Sequence, residues 1–139
     1  MGLVYAEIEL INEVEYQMSR THLIGVEEVS ATRSNMLVDS GATMIAINEA
    51  LQEVLKLPLQ EKRRIHLANG QMAELDVVGP VRVKFKDRFS VTNAFLQRGE
   101  SEPLLGAIPM EEMDLAIFPL EGRLDYNPAH PDGLMLSMK

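Results

Sequence analysis

Val4, Ala6, Ile8 and Leu10 alternate with Tyr5, Glu7 and Glu9. That two-residue period is the mark of a strand with one buried face. From Asn12 the chain turns polar, and the stretch through Arg20 and His22 reads as a connection. Leu23 to Val26 leads into Glu27-Glu28-Val29-Ser30-Ala31-Thr32, a candidate second strand, and Arg33-Ser34-Asn35 reads as a turn. Met36-Leu37-Val38 is a continuous apolar run, as expected of a short strand buried on both faces. It runs straight into Asp39-Ser40-Gly41-Ala42-Thr43.

Beyond Thr43, Met44, Ala46 and Ile47 carry the chain inward. Asn48 is a suitable N-cap and Glu49 complements a helix dipole, with Leu51, Val54 and Leu55 on one face. Pro58 ends that helix. After a loop, Ile65 to Ala68 meets Asn69-Gly70, the strongest hairpin signal in the chain, which predicts a type I′ turn. The return strand runs through Met72, Leu75, Val77 and Val78 until Gly79-Pro80 interrupts it. Val81, Val83 and Phe85 then alternate with Arg82, Lys84 and Lys86, a half-buried strand with a basic solvated face. A turn at Lys86-Asp87-Arg88 leads to Phe89–Leu96, and Gln97 to Pro103 is a polar loop. Leu104-Leu105-Gly106 is a second apolar run ending in glycine. Pro109 is placed to open a short helix with Glu111 and Glu112 in its first turn. Leu115–Phe118 and Arg123–Tyr126 read as strands joined at Glu121-Gly122, and the tail from Asn127 reads as extended, either docked on a partner or frayed. Eight or nine short strands and one or two short helices describe a mostly β domain, closed or folded on itself, with no crossover helices for a parallel sheet.

The 139 residues suit a single domain over 1–139. Only 5% are aromatic, so the core must be aliphatic, with the 9 methionines filling gaps. Net charge is -8 but uneven: positions 1–28 hold six acids and one base, positions 29–99 ten bases and seven acids, and the remainder eight acids and two bases. An acidic surface repels phosphate backbones, so no nucleic-acid partner is expected. No apolar run is long enough to span a bilayer, so no membrane partner is expected either. Without cysteine there is no disulfide, thiol nucleophile or Cys-ligated zinc. The first residues lack a secretory pattern, and a cytoplasmic setting is the expectation.

Little chemistry survives these bounds. His22, His66 and His130 are scattered without a ligand spacing, so neither a metal nor another cofactor is expected. Ser40 lacks a G-x-S-x-G elbow, and no phosphate-binding glycine loop occurs. Asp39 remains. A plain strand-end turn would also use Asp, Ser and Gly, the first two bonding local backbone and the last turning the chain. An apolar strand delivering the carboxylate, with Ala42 and Thr43 following, argues for more than a turn.

Leu37-Val38-Asp39-Ser40-Gly41-Ala42-Thr43 resembles the active-site motif of the pepsin/retropepsin clan of aspartic proteases: two apolar residues, D-[ST]-G and a small residue. Ala68-Asn69-Gly70-Gln71 lies where such proteins turn a flap hairpin over the cleft. Leu104-Leu105-Gly106 is similar to the clan's second apolar-apolar-glycine motif, which threads beneath the catalytic loop and precedes a short helix. The resemblance is closest to small bacterial single-domain, retropepsin-like proteins and covers about residues 4–127. It implies a single-lobe acid-protease β-barrel with Asp39 as the catalytic residue. It further implies a supporting loop of Ser40, Gly41, Ala42 and Thr43, a homodimer that brings two Asp39 carboxylates together, and a polypeptide substrate. The chain departs from the pattern in three places, one of them Ser40 where Thr is commoner, which keeps the hydroxyl but loses a methyl contact. Ala107 follows the second-motif glycine where retropepsins often carry Arg, and Thr43-Met44-Ile45 offers no acidic partner for one. The flap also lacks the doubly glycine-rich retroviral tip. A protease-fold module that dimerises or binds peptide without cleaving it is the competing reading.

Overall fold

The structure, a computed structural model, describes residues 2–132. It is mostly β. Six strands close a ring: β1 (Tyr5–Asn12), β2 (Ala31–Val38), β7 (Leu104–Leu105), β3 (Ile45–Ile47), β6 (Arg88–Leu96) and β5 (Met72–Phe85), with β5 returning to β1. The seventh strand of this sheet, β4 (Leu59–His66), pairs only with β5 and stands off the ring as a hairpin. Three helices, α1 (Glu13–Arg20), α2 (Glu49–Leu55) and α3 (Ala107–Glu112), decorate the ring, and β8 (Leu115–Phe118) pairs with β9 (Arg123–Tyr126) in a separate two-stranded sheet. Residues 133–139, which include most of the apolar part of the tail, lie outside the described residues.

The ring is filled with aliphatic side chains. Ile8, Leu10, Met36, Ile45, Leu105 and Met113 are fully enclosed, and Phe85 is the one buried aromatic among the described residues. The alternation in Val4–Leu10 and Val81–Phe85 buries the expected faces. Asn48 caps α2, its Oδ1 accepting the Leu51 N–H at 2.9 Å.

Several local expectations are corrected. The polar stretch after Asn12 is helix α1, and the segment at Val26–Glu28 is a single 3₁₀ turn rather than the start of a strand. Asn12 Oδ1 accepts the Glu15 N–H, Glu13 and Glu15 sit at the positive end of the helix dipole, and Arg20 sits at the negative end. Arg33-Ser34-Asn35 is no turn but the middle of β2, paired with Glu9, Ile8 and Glu7 of β1. The loop expected after Pro58 is β4 itself. Gly79-Pro80 does not end a strand. β5 runs through it with a register shift between Val78 and Val81, where it exchanges β4 for β1 as its neighbour. Helix α3 begins at Ala107, two residues before Pro109, so Glu111 and Glu112 lie in its last turn. Val54 is half exposed and does not share the buried face of α2.

The outer face of β5 is not simply solvated. Helix α1 lies over it, and Arg82 is buried there in a bidentate ion pair with Glu13, at 2.7 Å from Nε to Oε1 and 3.0 Å from Nη2 to Oε2. The guanidinium is sandwiched between the Tyr16 and Phe89 rings, 4.4 and 4.1 Å from their centroids. Burial pushes the Glu13 carboxyl up. The hydrogen bonds from Arg82 and Gln17 and the Arg82 charge outweigh that, leaving it below the usual carboxylate range. A carboxyl with a depressed folded-state pKa stabilises the fold above its unfolded value and loses that contribution as pH falls through the folded one. The gap in urea midpoint between wild type and Glu13→Gln is therefore expected to be full at pH 6 and to shrink as the pH drops below about 4. A gap independent of pH would show that the ion pair is not what Glu13 contributes.

Candidate active site

Asp39 is placed by three strands. At the end of β2, Leu37 and Val38 run parallel to Leu104 and Leu105 of β7, while the Val38 N–H reaches back to Val4 C=O at 2.8 Å. The Asp39 N–H continues the ladder to Leu105 C=O at 2.9 Å. Just past it the chain reverses: Asp39 C=O accepts the Ala42 N–H at 3.1 Å and Asp39 Oδ1 accepts the Gly41 N–H at 3.0 Å. The carboxylate, half-buried, is thus oriented by its own loop through Oδ1. Ser40, Gly41 and Thr43 are exposed on the same loop.

The second apolar-glycine run passes beneath this loop. Ala107 donates to Ala42 C=O at 2.7 Å and Ile108 to Thr43 C=O at 3.0 Å, so the free amides of α3 are taken up by the loop above. Gly106 makes the crossing possible. A Cβ there would lie 2.2 Å from Met44 O and 2.8 Å from Ala42 O. The structure therefore brings Asp39, Ala42, Thr43 and Leu104-Leu105-Gly106 together. Where Ala107 and Thr43-Met44-Ile45 leave no ion pair to brace the loop, main-chain hydrogen bonds brace it.

Ala68, Asn69, Gly70 and Gln71 form the tip of the β4–β5 hairpin, and among the described residues no hydrogen bond joins them to that cluster. The turn is not type I′. Gly70 N–H bonds Leu67 C=O, Leu67 N–H bonds Gln71 C=O, and only Gly70, at φ +84°, has positive φ. This is a three-residue loop with a left-handed glycine at its end, which lets Asn69 keep an ordinary φ while its Oδ1 accepts the Gln71 N–H at 3.0 Å. Cross-strand pairing puts Ile65, Ala73 and Leu75 on one face of the hairpin, with exposed Arg63 opposite Leu75, and the three apolar residues are partly covered. With Leu67, that face and the 97–101 loop bound a cleft of about 510 Å³. In the sequence Gln97 and Arg98 stand only as part of a polar loop. Their place between the hairpin's return through β6 and the second glycine motif is the signal that could have marked them as cleft wall.

Among the described residues, no group of three or more His, Asp or Glu side chains is placed to hold a metal ion, and no helix is long and apolar enough to cross a membrane. A family model described as aspartyl protease matches residues 26–108, more than half the chain, which contain the Asp39 loop, the hairpin and Leu104-Leu105-Gly106. No curated protein matches.

Proposed function

The chain belongs to the aspartyl protease family, and from that premise we propose that it is the single-domain subunit of a homodimeric, cytoplasmic peptidase whose catalytic residue is Asp39. The observation that carries this reading is the crossing of Leu104-Leu105-Gly106 beneath the Asp39 loop, which fixes a carboxylate at the rim of a closed β ring. In the aspartic mechanism one carboxylate takes a proton from water and a second carboxyl gives one to the scissile carbonyl. One chain supplies a single such loop, so a second copy related by a twofold axis completes the site. Two Asp39 carboxylates about 3 Å apart share one proton. The ionised member takes a proton from a water as its oxygen attacks the scissile carbonyl carbon, and the protonated member gives its proton to the carbonyl oxygen. The tetrahedral gem-diol then collapses: the carboxyl that took the water's proton gives it to the departing nitrogen, the other carboxylate takes a proton from one hydroxyl, and the C–N bond breaks, which restores the shared proton. Exposed Ser40 stands on the loop where it would meet its symmetry mate, Gly41 permits close approach there, and the Ala68–Gln71 hairpin tip closes over the substrate and excludes water.

The competing reading, a module that binds polypeptide without cleaving it, is favoured by one observation: the loop is tied to α3 by main-chain bonds, without the ion pair that Ala107 forgoes. The two are separated by cleavage of an unstructured polypeptide between pH 3 and 7, followed as the protein is diluted. The dimeric peptidase is expected to lose activity per chain as dilution dissociates it, in step with its sedimentation coefficient. Activity strictly proportional to a monomer's concentration would overturn the shared site. Binding without turnover at every pH would favour the module.

A further inference from the structure

Strand alternation gives the Asp39 carboxylate neighbours that no motif marks. Met36 and Val38 point into the ring and are buried, so Leu37 and Asp39 share the opposite face. Leu37 stands opposite Tyr5 of β1 on one side and Leu104 of β7 on the other, and Leu104 stands opposite Ala46 of β3. Directly paired residues lie on one face of a sheet. Tyr5, Leu37, Leu104 and Ala46 therefore form a row across four strands, two residues, or roughly 7 Å, from the position of Asp39. Leu37 and Leu104 are half-buried, and neither they nor Ala46 belong to the packed core of the ring. The row is an apolar strip beside the candidate catalytic group. One end of it is polar: the Tyr5 hydroxyl donates to Glu102 Oε1 at 2.5 Å. That bond raises the Tyr5 hydroxyl above the ordinary tyrosine range, so the phenol stays a donor. Glu102 is exposed, and among the described residues its carboxylate has no other hydrogen bond and no ion pair.

The charges around the strip share one sign. Glu7 is the next residue of β1 on this face, opposite uncharged Asn35, and Glu100 lies on the loop just before Glu102. The bases on this face of the sheet are further off: Arg33 stands opposite Glu9, whose carboxylate is also 3.9 Å from Lys84. Arg98 lines the cleft on the hairpin side. Tyr5 lies outside residues 26–108, so the family match does not assign it. We propose that this strip is a specificity subsite for a basic residue: a lysine or arginine flanking the scissile bond lays its aliphatic stem along Leu37, Leu104 and Ala46 and brings its charge to Glu102, which Tyr5 positions. Long basic side chains suit such a surface because the stem covers apolar atoms while the head stays in water. A neutral aliphatic side chain makes the same stem contacts and leaves Glu102 unpaired, and an acidic one is repelled. The inference rests on the peptidase reading for the bond that is cut, not for binding.

The test compares unstructured fluorescent peptides that differ only in lysine, norleucine or glutamate on either side of one bond. Each is offered to the wild-type chain for cleavage and titrated against the Asp39→Asn protein, where binding is read without turnover. The lysine peptide is expected to exceed the norleucine peptide about fivefold in kcat/KM and in affinity, the modest gain of an exposed ion pair, and to lose that advantage at high salt. Glu102→Gln abolishes the preference, and Glu102→Lys turns it toward glutamate. Tyr5→Phe keeps the ring but releases the carboxylate, and so lowers the lysine-to-norleucine ratio. A Tyr5–Glu102 pair that serves stability alone would instead move the urea midpoint of these variants and leave the ratio at its wild-type value. That result, equal handling of the three peptides, or no binding of any of them would each overturn the proposal. A lysine preference in binding without cleavage by the wild-type chain would refute the peptidase reading and leave the subsite standing. Cleavage without the preference would do the reverse.

Discussion

Asp39→Asn is expected to lower kcat for peptide cleavage by roughly a thousandfold or more, the scale of removing a general acid–base pair, while leaving the fold intact. The selectivity follows from the local geometry. Asp39 uses Oδ1 to accept the Gly41 N–H, its main chain bonds Leu105 and Ala42, and among the described residues no other group hydrogen-bonds its carboxylate. An asparagine carbonyl can hold the same Gly41 N–H in a side chain of the same shape, so the urea midpoint should stay near that of wild type. What is lost is the titrating oxygen. Because the proposed site needs one carboxylate from each chain, the variant should also act on its partner. When an equal amount of Asp39→Asn is mixed with wild type and the subunits are allowed to exchange, random pairing halves the number of intact sites, and activity should fall to about half. Undiminished cleavage by the variant would remove Asp39 from the mechanism. Loss of activity without any effect on mixing would instead confine the site to one chain.

How far such a site can be read from sequence depends on how local its determinants are. Met36 to Thr43 and Leu104 to Gly106 were legible because short apolar runs that end in Asp or Gly carry their own strand and turn chemistry. The Asn48 cap was legible for the same reason. Helix α1 was not, because Val14, Tyr16 and Met18 alternate as a strand would, and what holds the helix is a distant partner, Arg82 on β5. β2 was cut short for a related reason: Thr32 to Asn35 are polar, and their strand conformation comes from main-chain pairing with β1 rather than from side-chain burial. Arg82 looked solvent-facing because its alternation with Val81 and Val83 is real, and only the covering helix buries it. In the site, the residues of the motifs were visible but the bracing was not. Main-chain bonds from Ala107 and Ile108 to Ala42 and Thr43 have no side-chain signature. The Asn69-Gly70 signal located the hairpin correctly, yet not its turn type, since loop length was set by the Leu67–Gln71 pairing.

Gly106→Ala is expected to be the most damaging single methyl in the region, costing about 3 kcal/mol of stability, the upper end for overpacking a closed site. Conformation is not the reason. Gly106 is extended, at φ -91° and ψ -177°, a backbone any residue adopts. Space is the reason: the added Cβ would stand 2.2 Å from Met44 O and 2.8 Å from Ala42 O, and both are main-chain atoms of the loop that carries Asp39. Neither can rotate aside as a side chain would. Relief requires the Asp39–Met44 loop to lift away from β7 and α3, which breaks the Ala107 and Ile108 hydrogen bonds. Stability and activity should therefore fall together. Gly70→Ala provides the contrast. Nothing lies within 4 Å of its new Cβ, but φ is +84°, so the cost is conformational, about 1 kcal/mol, and confined to the hairpin tip. Urea denaturation of the two variants separates the effects. A Gly106→Ala protein within about 0.5 kcal/mol of wild type, the range of ordinary surface changes, would mean that the loop rides over the second motif with room to spare. The bracing of the Asp39 loop would then have to come from elsewhere.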